Sequence, residues 1–185
     1  MAQRNKEGDG RWVVLIVRVP ADPSRHRVAV WRELRRAGAT QAGQGVWAMP
    51  SSAGTTPVVQ RVTELARRGG GEVVALDALP LDEASSTRLR ELHDEARREE
   101  WAEFVSECGK CVAELHREIA KQKFTLAELD EEEQNVDRLR RWHRELGVRD
   151  LFHAQPPEEM QRHLDECNAA LERFTELVYK ALGIS

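Results

Sequence analysis

The apolar positions of this chain change their period partway along it. Between residues 12 and 77 they come in short blocks. "WVVLIVRV" (12–19) is a β-branched run closed by Pro20 and predicts a strand. Asp22-Pro23 then reads as an N-cap with proline at the first helical position, so a helix is expected from about 23 to 37, ending at Gly38. "ATQAG" and "GQGVWAMP" form two short strands about a glycine turn. Thr56-Pro57 opens a second helix, "PVVQRVTELARR", which stops at Gly69-Gly70-Gly71. "EVVALD" (72–77) is a fourth strand.

From about residue 82 the period becomes helical. Leu89, Leu92, Ala96, Trp101, Phe104, Cys108, Val112, Leu115 and Ile119 make one stripe, with an irregular step at "RREE". Thr125-Leu-Ala-Glu128 is a capping box, and Phe124 with Leu129 fits a hydrophobic staple; that helix runs to about Leu146. Pro156-Pro157 starts a last helix, striped by Met160, Leu164, Cys167, Leu171, Phe174 and Val178. The expected fold class is therefore α+β. A ferredoxin-like β-α-β-β-α-β sheet domain covers residues 1–79, and a helical domain of about three helices covers 80–185, with Pro80 at the boundary.

Strand one has no polar face. Val13, Leu15, Val17 and Val19 share one side, and Trp12, Val14, Ile16 and Arg18 the other. A sheet face left to water would alternate toward polar residues. The helix-free face is expected to be covered by the C-terminal half or by a second subunit.

Composition narrows the class. The longest apolar run is far short of the ~18 residues of a membrane span. The start, "MAQRNKEGDGRW", has no apolar signal-peptide core. Three cysteines do not make a disulfide framework, so a reducing cytoplasm is the expected location. The net charge of −4 conceals an asymmetry: residues 1–77 carry +5 and residues 78–185 carry −9. The basic part is a candidate for polyanions.

Most of that positive charge sits on the first helix. "SRHRVAVWRELRRAGA" (24–39) carries five arginines. At 100° per residue Val30, Trp31, Leu34 and Ala37 face the core, while Arg25, Arg32 and Arg36 fall within about 40° of one another on the opposite side. They make a ridge roughly 16 Å long, suited to phosphates. Arg61, Arg67 and Arg68 of the second helix enlarge the basic region, and Arg4, Lys6 and Arg11 add a basic arm. The competing reading is a solvated helix face that pairs with the acidic half. No recognition helix or zinc-finger spacing accompanies the ridge.

The thiols offer a second chemistry. Cys108 and Cys111 form a C-x-x-C within a helix, and His163 and Cys167 stand at i, i+4 on the last helix. If those helices touch, the four could bind zinc or form a redox pair. The plain alternative is a set of small core residues. His93, His116, His143 and His153 show no ligand spacing and are expected to be solvated or capping. "DEEEQ" (130–134) reads as solvated surface near a helix start. No Gly-rich phosphate loop, G-x-S-x-G or H-E-x-x-H occurs. A metal-dependent nuclease of this fold would carry an Asp at the end of strand one, where Arg18 and Val19 stand.

"WVVLIVRVPADPSRHRVAVWRELRRAGA…GQGVWAMP" resembles the N-terminal domain of the chromate-resistance regulator family ChrB, and "KFTLAELDEEEQNVDRLRRWHRELGVRDLF" resembles that family's helical part. The resemblance covers about residues 11 to 180. It implies a non-enzymatic transcription regulator that binds DNA, responds to chromate and controls a chromate efflux transporter. Longer members carry a further C-terminal domain. The N-terminal part is also similar to the ferredoxin-like domain of phenylacetate-pathway repressors. The expected partners are DNA and a second copy of the chain in a homodimer, with no membrane. The DNA-binding set is Arg25, Arg32, Arg36, Arg61, Arg67 and Arg68. No resident cofactor is expected, and chromate is the effector, a tetrahedral dianion for which Arg18 and Arg27 are the candidate ligands. Two alternatives stand beside this: a metal- or thiol-dependent redox protein or chromate reductase using Cys108, Cys111, His163 and Cys167, and a dimeric scaffold.

Overall fold

The computed structural model describes residues 10–183. Among them are four strands and five helices, in the order β1 (Trp12–Arg18), α1 (Ser24–Arg36), β2 (Thr40–Gly43), β3 (Val46–Pro50), α2 (Thr55–Arg68), β4 (Glu72–Ala78), α3 (Glu83–Lys121), α4 (Leu126–Arg149) and α5 (Pro157–Leu182). The chain is mixed α+β and mostly helical. Contacts group it into two compact units, residues 1–96 and 97–185.

The first unit is built on one antiparallel sheet of order β2-β3-β1-β4. β1 is central and pairs β3 and β4 on its two sides, with Leu15 opposite both Trp47 and Ala75. One face of β1 meets both α1 and α2. Val13 and Leu15 pack with Trp47 and Met49 of β3, Val30 and Leu34 of α1, and Val62 and Ala66 of α2. The opposite face is treated unevenly. Trp12 is buried, its indole edge-on to His93 of α3 at 6.3 Å. Val74 and Leu76 of β4, on the same face, remain 49% and 48% exposed. The cover expected over this face thus reaches its Trp12 end and stops short of the β4 edge. It also removes His93 from the solvated histidines, since it is 1% exposed.

Helix α1 starts one residue later than its sequence suggests. Pro23, in an extended conformation, takes the N-cap position, so Asp22 lies too far upstream to cap and no side chain does so. α2 ends in two turns that tie the chain to β1. Gly70 N–H donates to the Arg67 carbonyl at 3.0 Å and Gly71 N–H to the Ala66 carbonyl at 2.9 Å. Gly71 lies so close to β1 that a Cβ there would sit 2.3 Å from the Arg18 carbonyl oxygen and 3.0 Å from Val19 Cα.

The second unit is a helical core. Trp101, Phe104, Cys108 and Leu115 of α3 pack with Leu129, Val136, Leu139 and Leu146 of α4 and with Met160, Leu164, Cys167, Phe174 and Val178 of α5. Thr125 caps α4 as expected, its hydroxyl accepting from Glu128 N–H at 3.3 Å. The Glu128 side chain pairs with Lys123 Nζ at 2.9 Å. The irregular step at "RREE" has a physical cause: Arg97 and Glu100 occupy buried positions. Arg97 Nη2 meets Glu100 Oε1 at 3.1 Å, and Arg149 Nη2 meets Glu100 Oε2 at 3.3 Å. Nearby, Trp101 Nε1 donates to Asp150 Oδ2 at 2.8 Å. His143 is part-buried with its ring against Trp101 and Phe104, and burial lowers its pKa, which keeps it neutral.

"DEEEQ" is not all surface. Glu132 is 4% exposed, because Leu129, Glu132, Val136 and Leu139 fall on one buried face of α4. Burial pushes its carboxyl above the ordinary 4.5, and Glu114, Glu131 and Glu118 add to that, against a weak hydrogen bond from Asn135 at 3.5 Å. A carboxyl raised in the folded state lowers stability once it ionises, so its penalty grows as pH rises above 4.5 and is absent well below it.

Two experiments test these placements. Gly71→Ala should destabilise the first unit by ~2–3 kcal/mol, at the upper end of overpacking costs. Gly109→Ala on α3, where a Cβ meets nothing within 4 Å, should stabilise by ~0.5–1 kcal/mol. Urea unfolding followed by tryptophan fluorescence reads both. Glu132→Gln should raise the thermal midpoint by a few degrees at pH 7, and this gain should vanish as pH falls to 4 and below; a gain constant with pH would contradict the burial of an ionisable carboxylate there.

Candidate nucleic-acid interface

Helix α1 contains one acidic residue, Glu33. Its side chain is 14% exposed and accepts from Arg61 Nη1 of α2 at 3.1 Å. The one carboxylate that α1 itself carries is therefore taken by the neighbouring helix. Glu64, one turn before the end of α2, accepts from Arg67 and Arg68 at 3.0 and 2.9 Å, and those two guanidinium groups hold its carboxyl down at about 2.

These pairs divide the six arginines assigned to nucleic acid. Arg61, Arg67 and Arg68 are each engaged by a carboxylate of the same unit. Arg25, Arg32 and Arg36 are exposed on α1. Arg25 and Arg32 make no hydrogen bond or ion pair among the described residues. Arg35 sits over the Trp31 ring, 5.3 Å from its centroid. Of the proposed basic arm, Arg4 and Lys6 lie outside the described residues, and Arg11 is bound to Asp77 at 2.9 Å.

Beside this ridge lies a cavity of about 850 Å³, where the end of β1, the flank of α1, the β2–β3 turn and the α2–β4 turn converge. Arg18 and Arg27, the two residues assigned to an oxyanion, both line it. Arg18 is bound to Glu72 at 3.4 Å, whereas Arg27 has no partner among the described residues. Trp31 and Trp47 are walls of the same cavity and were not legible as such. The helical projection places Trp31 with the core residues, yet it is 46% exposed, because Val30 and Leu34 fill the space over the sheet and leave the indole on the flank. An arginine one turn before an aromatic residue, Arg27 and Trp31, was the available signal.

The cysteine set assembles only in part. Cys108, Cys111 and Cys167 come together in the core of the second unit, all buried, with Cys167 Sγ donating to the Cys108 carbonyl at 3.5 Å. Contact with Cys108 and burial push the Cys167 thiol up to about 12. Contact with Cys167, then burial, push Cys111 higher still, while the same contact lowers Cys108. His163 pairs with Glu166 of its own helix at 3.8 Å. Among the described residues no group of three or more His, Cys, Asp or Glu side chains is placed to hold a metal ion. Their burial suits the reading of these thiols as small apolar core groups. No helix among the described residues is long and apolar enough to cross a membrane.

The whole second unit and nearly all of α1 fall within a match to a known family, described as Protein ChrB, N-terminal, over residues 27–185. A curated protein named Protein ChrB, from Cupriavidus metallidurans, is 27% identical over 122 residues. That alignment takes in 66% of this chain and 34% of the relative, so the chain spans about a third of that protein's length. With its sheet unit, its helical core and a family match that runs through both, this chain belongs to the ChrB family, in the N-terminal part of that protein.

Proposed function

We propose that this chain is a DNA-binding transcription regulator without catalytic activity of its own, linked to chromate resistance through control of a chromate efflux transporter. We read its sheet unit as ferredoxin-like and its working form as a cytoplasmic homodimer, with chromate as the effector. The observation that carries the reading is the pair Arg25 and Arg32. Both stand on one line of α1, exposed and unpartnered among the described residues, while the only acid of that helix is bound to Arg61. Arg36 continues the line. The guanidinium groups of Arg25 and Arg32, left in this state, favour the phosphate backbone and carry no base readout by themselves. Membership of the ChrB family supports the chromate link.

The reading separates two groups of arginine. Arg25, Arg32 and Arg36 bear on affinity, whereas Arg61 is taken up by Glu33 of α1, and Arg67 and Arg68 by Glu64 within α2. Fluorescence polarisation on the DNA upstream of the protein's own gene tests this across a salt series. Binding should weaken steeply with salt, and the triple change Arg25/Arg32/Arg36→Ala should flatten the slope of log K against log salt by roughly 2–3, with an unchanged thermal midpoint. Binding that ignores salt, or a triple variant that binds as the parent does, overturns the proposal.

A further inference from the structure

The charged group left unengaged in the lining of the cavity beside α1 is a donor. Arg27 has no partner among the described residues. The Gln44 side chain is likewise without a hydrogen bond. The one acidic residue of the lining, Glu72, is occupied by Arg18. Two arginines against one carboxylate leave the site positive. The ligand it fits is therefore an acceptor with negative charge.

Size decides which kind. Water takes up about 30 Å³ in the liquid, so a five-atom oxyanion needs only on the order of 100 Å³. The cavity measures about 850 Å³, well within the ~300–1,000 Å³ range of sites for organic ligands. Its walls match that size, because Trp31, 46% exposed, presents indole surface suited to a flat, apolar partner, with Trp47 in the wall behind it. Arg35, over the Trp31 ring, helps to hold that indole in place.

We infer that this cavity binds a planar organic anion, with the anionic group at Arg27 and the flat apolar body against the indole of Trp31. A bare tetrahedral oxyanion satisfies Arg27 and leaves most of the volume unfilled. The inference deepens the effector part of the reading above, and rests on it only in assigning the anion to Arg27.

Isothermal titration of the full chain tests it without DNA. The probes are 2-naphthoate, its neutral counterpart 2-naphthalenemethanol, and inorganic sulfate, phosphate and chromate. Naphthoate should bind at least tenfold more tightly than any inorganic anion or the neutral alcohol. Arg27→Ala should weaken it at least tenfold and Trp31→Ala several-fold, while Arg162→Ala on α5 leaves it unchanged. Thermal unfolding confirms that each variant is folded. Inorganic anions that bind as tightly as naphthoate overturn the organic ligand and leave chromate as the effector. Equal binding of the neutral alcohol overturns the anionic requirement. No binding by any probe, or an Arg27→Ala variant that binds like the parent, overturns the site itself. None of these results touches DNA binding, which the salt series reads separately.

Discussion

The architecture of the first unit follows from a central strand that has no polar side. Leu15 and Val13 turn one way, Trp12 and Val14 the other, and hydrogen bonds to β3 and β4 leave both faces needing apolar cover. α1 and α2 supply it on one face, through Val30, Leu34, Val62 and Ala66. On the other face His93 meets Trp12. Cover is most complete around Leu15 and thins toward the strand's C-terminal end, where Val17 is only part-buried and Arg18 is exposed. The cavity lies there. It is the place where a two-sided apolar strand runs out of helix to cover it.

Charge on this unit is sorted by few carboxylates. Glu33 and Glu64 are both on the helices, and between them they engage three arginines. Each pair is at least partly exposed, so its worth in stability is small. Its larger effect is on what remains: a helix whose outer line is positive and whose own acid faces its neighbour. A sequence count of arginines does not distinguish these two populations. The spacing of Glu64 to Arg67 and Arg68 within α2 accounts for two of the engaged arginines, and the packing of α1 on α2, which brings Glu33 to Arg61, for the third.

The local signals that proved legible were those with one physical meaning. A short β-branched run closed by proline became β1, the glycine triplet ended α2, and Thr125 became a cap whose hydroxyl bonds Glu128 N–H. What was not legible depended on tertiary neighbours. Asp22 has the chemistry of a cap but stands one residue too early. Arg97, Glu100 and Glu132 have the chemistry of surface residues but occupy buried turns of helices, where Arg97 and Glu100 pair and Glu132 lies among apolar neighbours. The spacing of the cysteines allowed Cys108, Cys111 and Cys167 to meet, and they share one core; it gave no sign that His163 would stand 3.8 Å from Glu166 of its own helix. The ridge was visible in projection because it depends on one helix, and the cavity was not, because it depends on four segments converging.

The outer strand β4 carries a consequence for how this protein behaves in a crowd of its own copies. Val74 and Leu76 lie half-open to solvent on a strand with a neighbour on one side only, an arrangement that ordinarily invites further strands to add. Here the apolar pair is bracketed by Glu72 and Asp77, each tethered to an arginine on β1 or just before it. The brackets fix a short window with charged ends, so a strand that adds here must match its length and tolerate its charge. Charged residues at the ends of an exposed edge are among the devices by which sheets discourage open-ended strand addition.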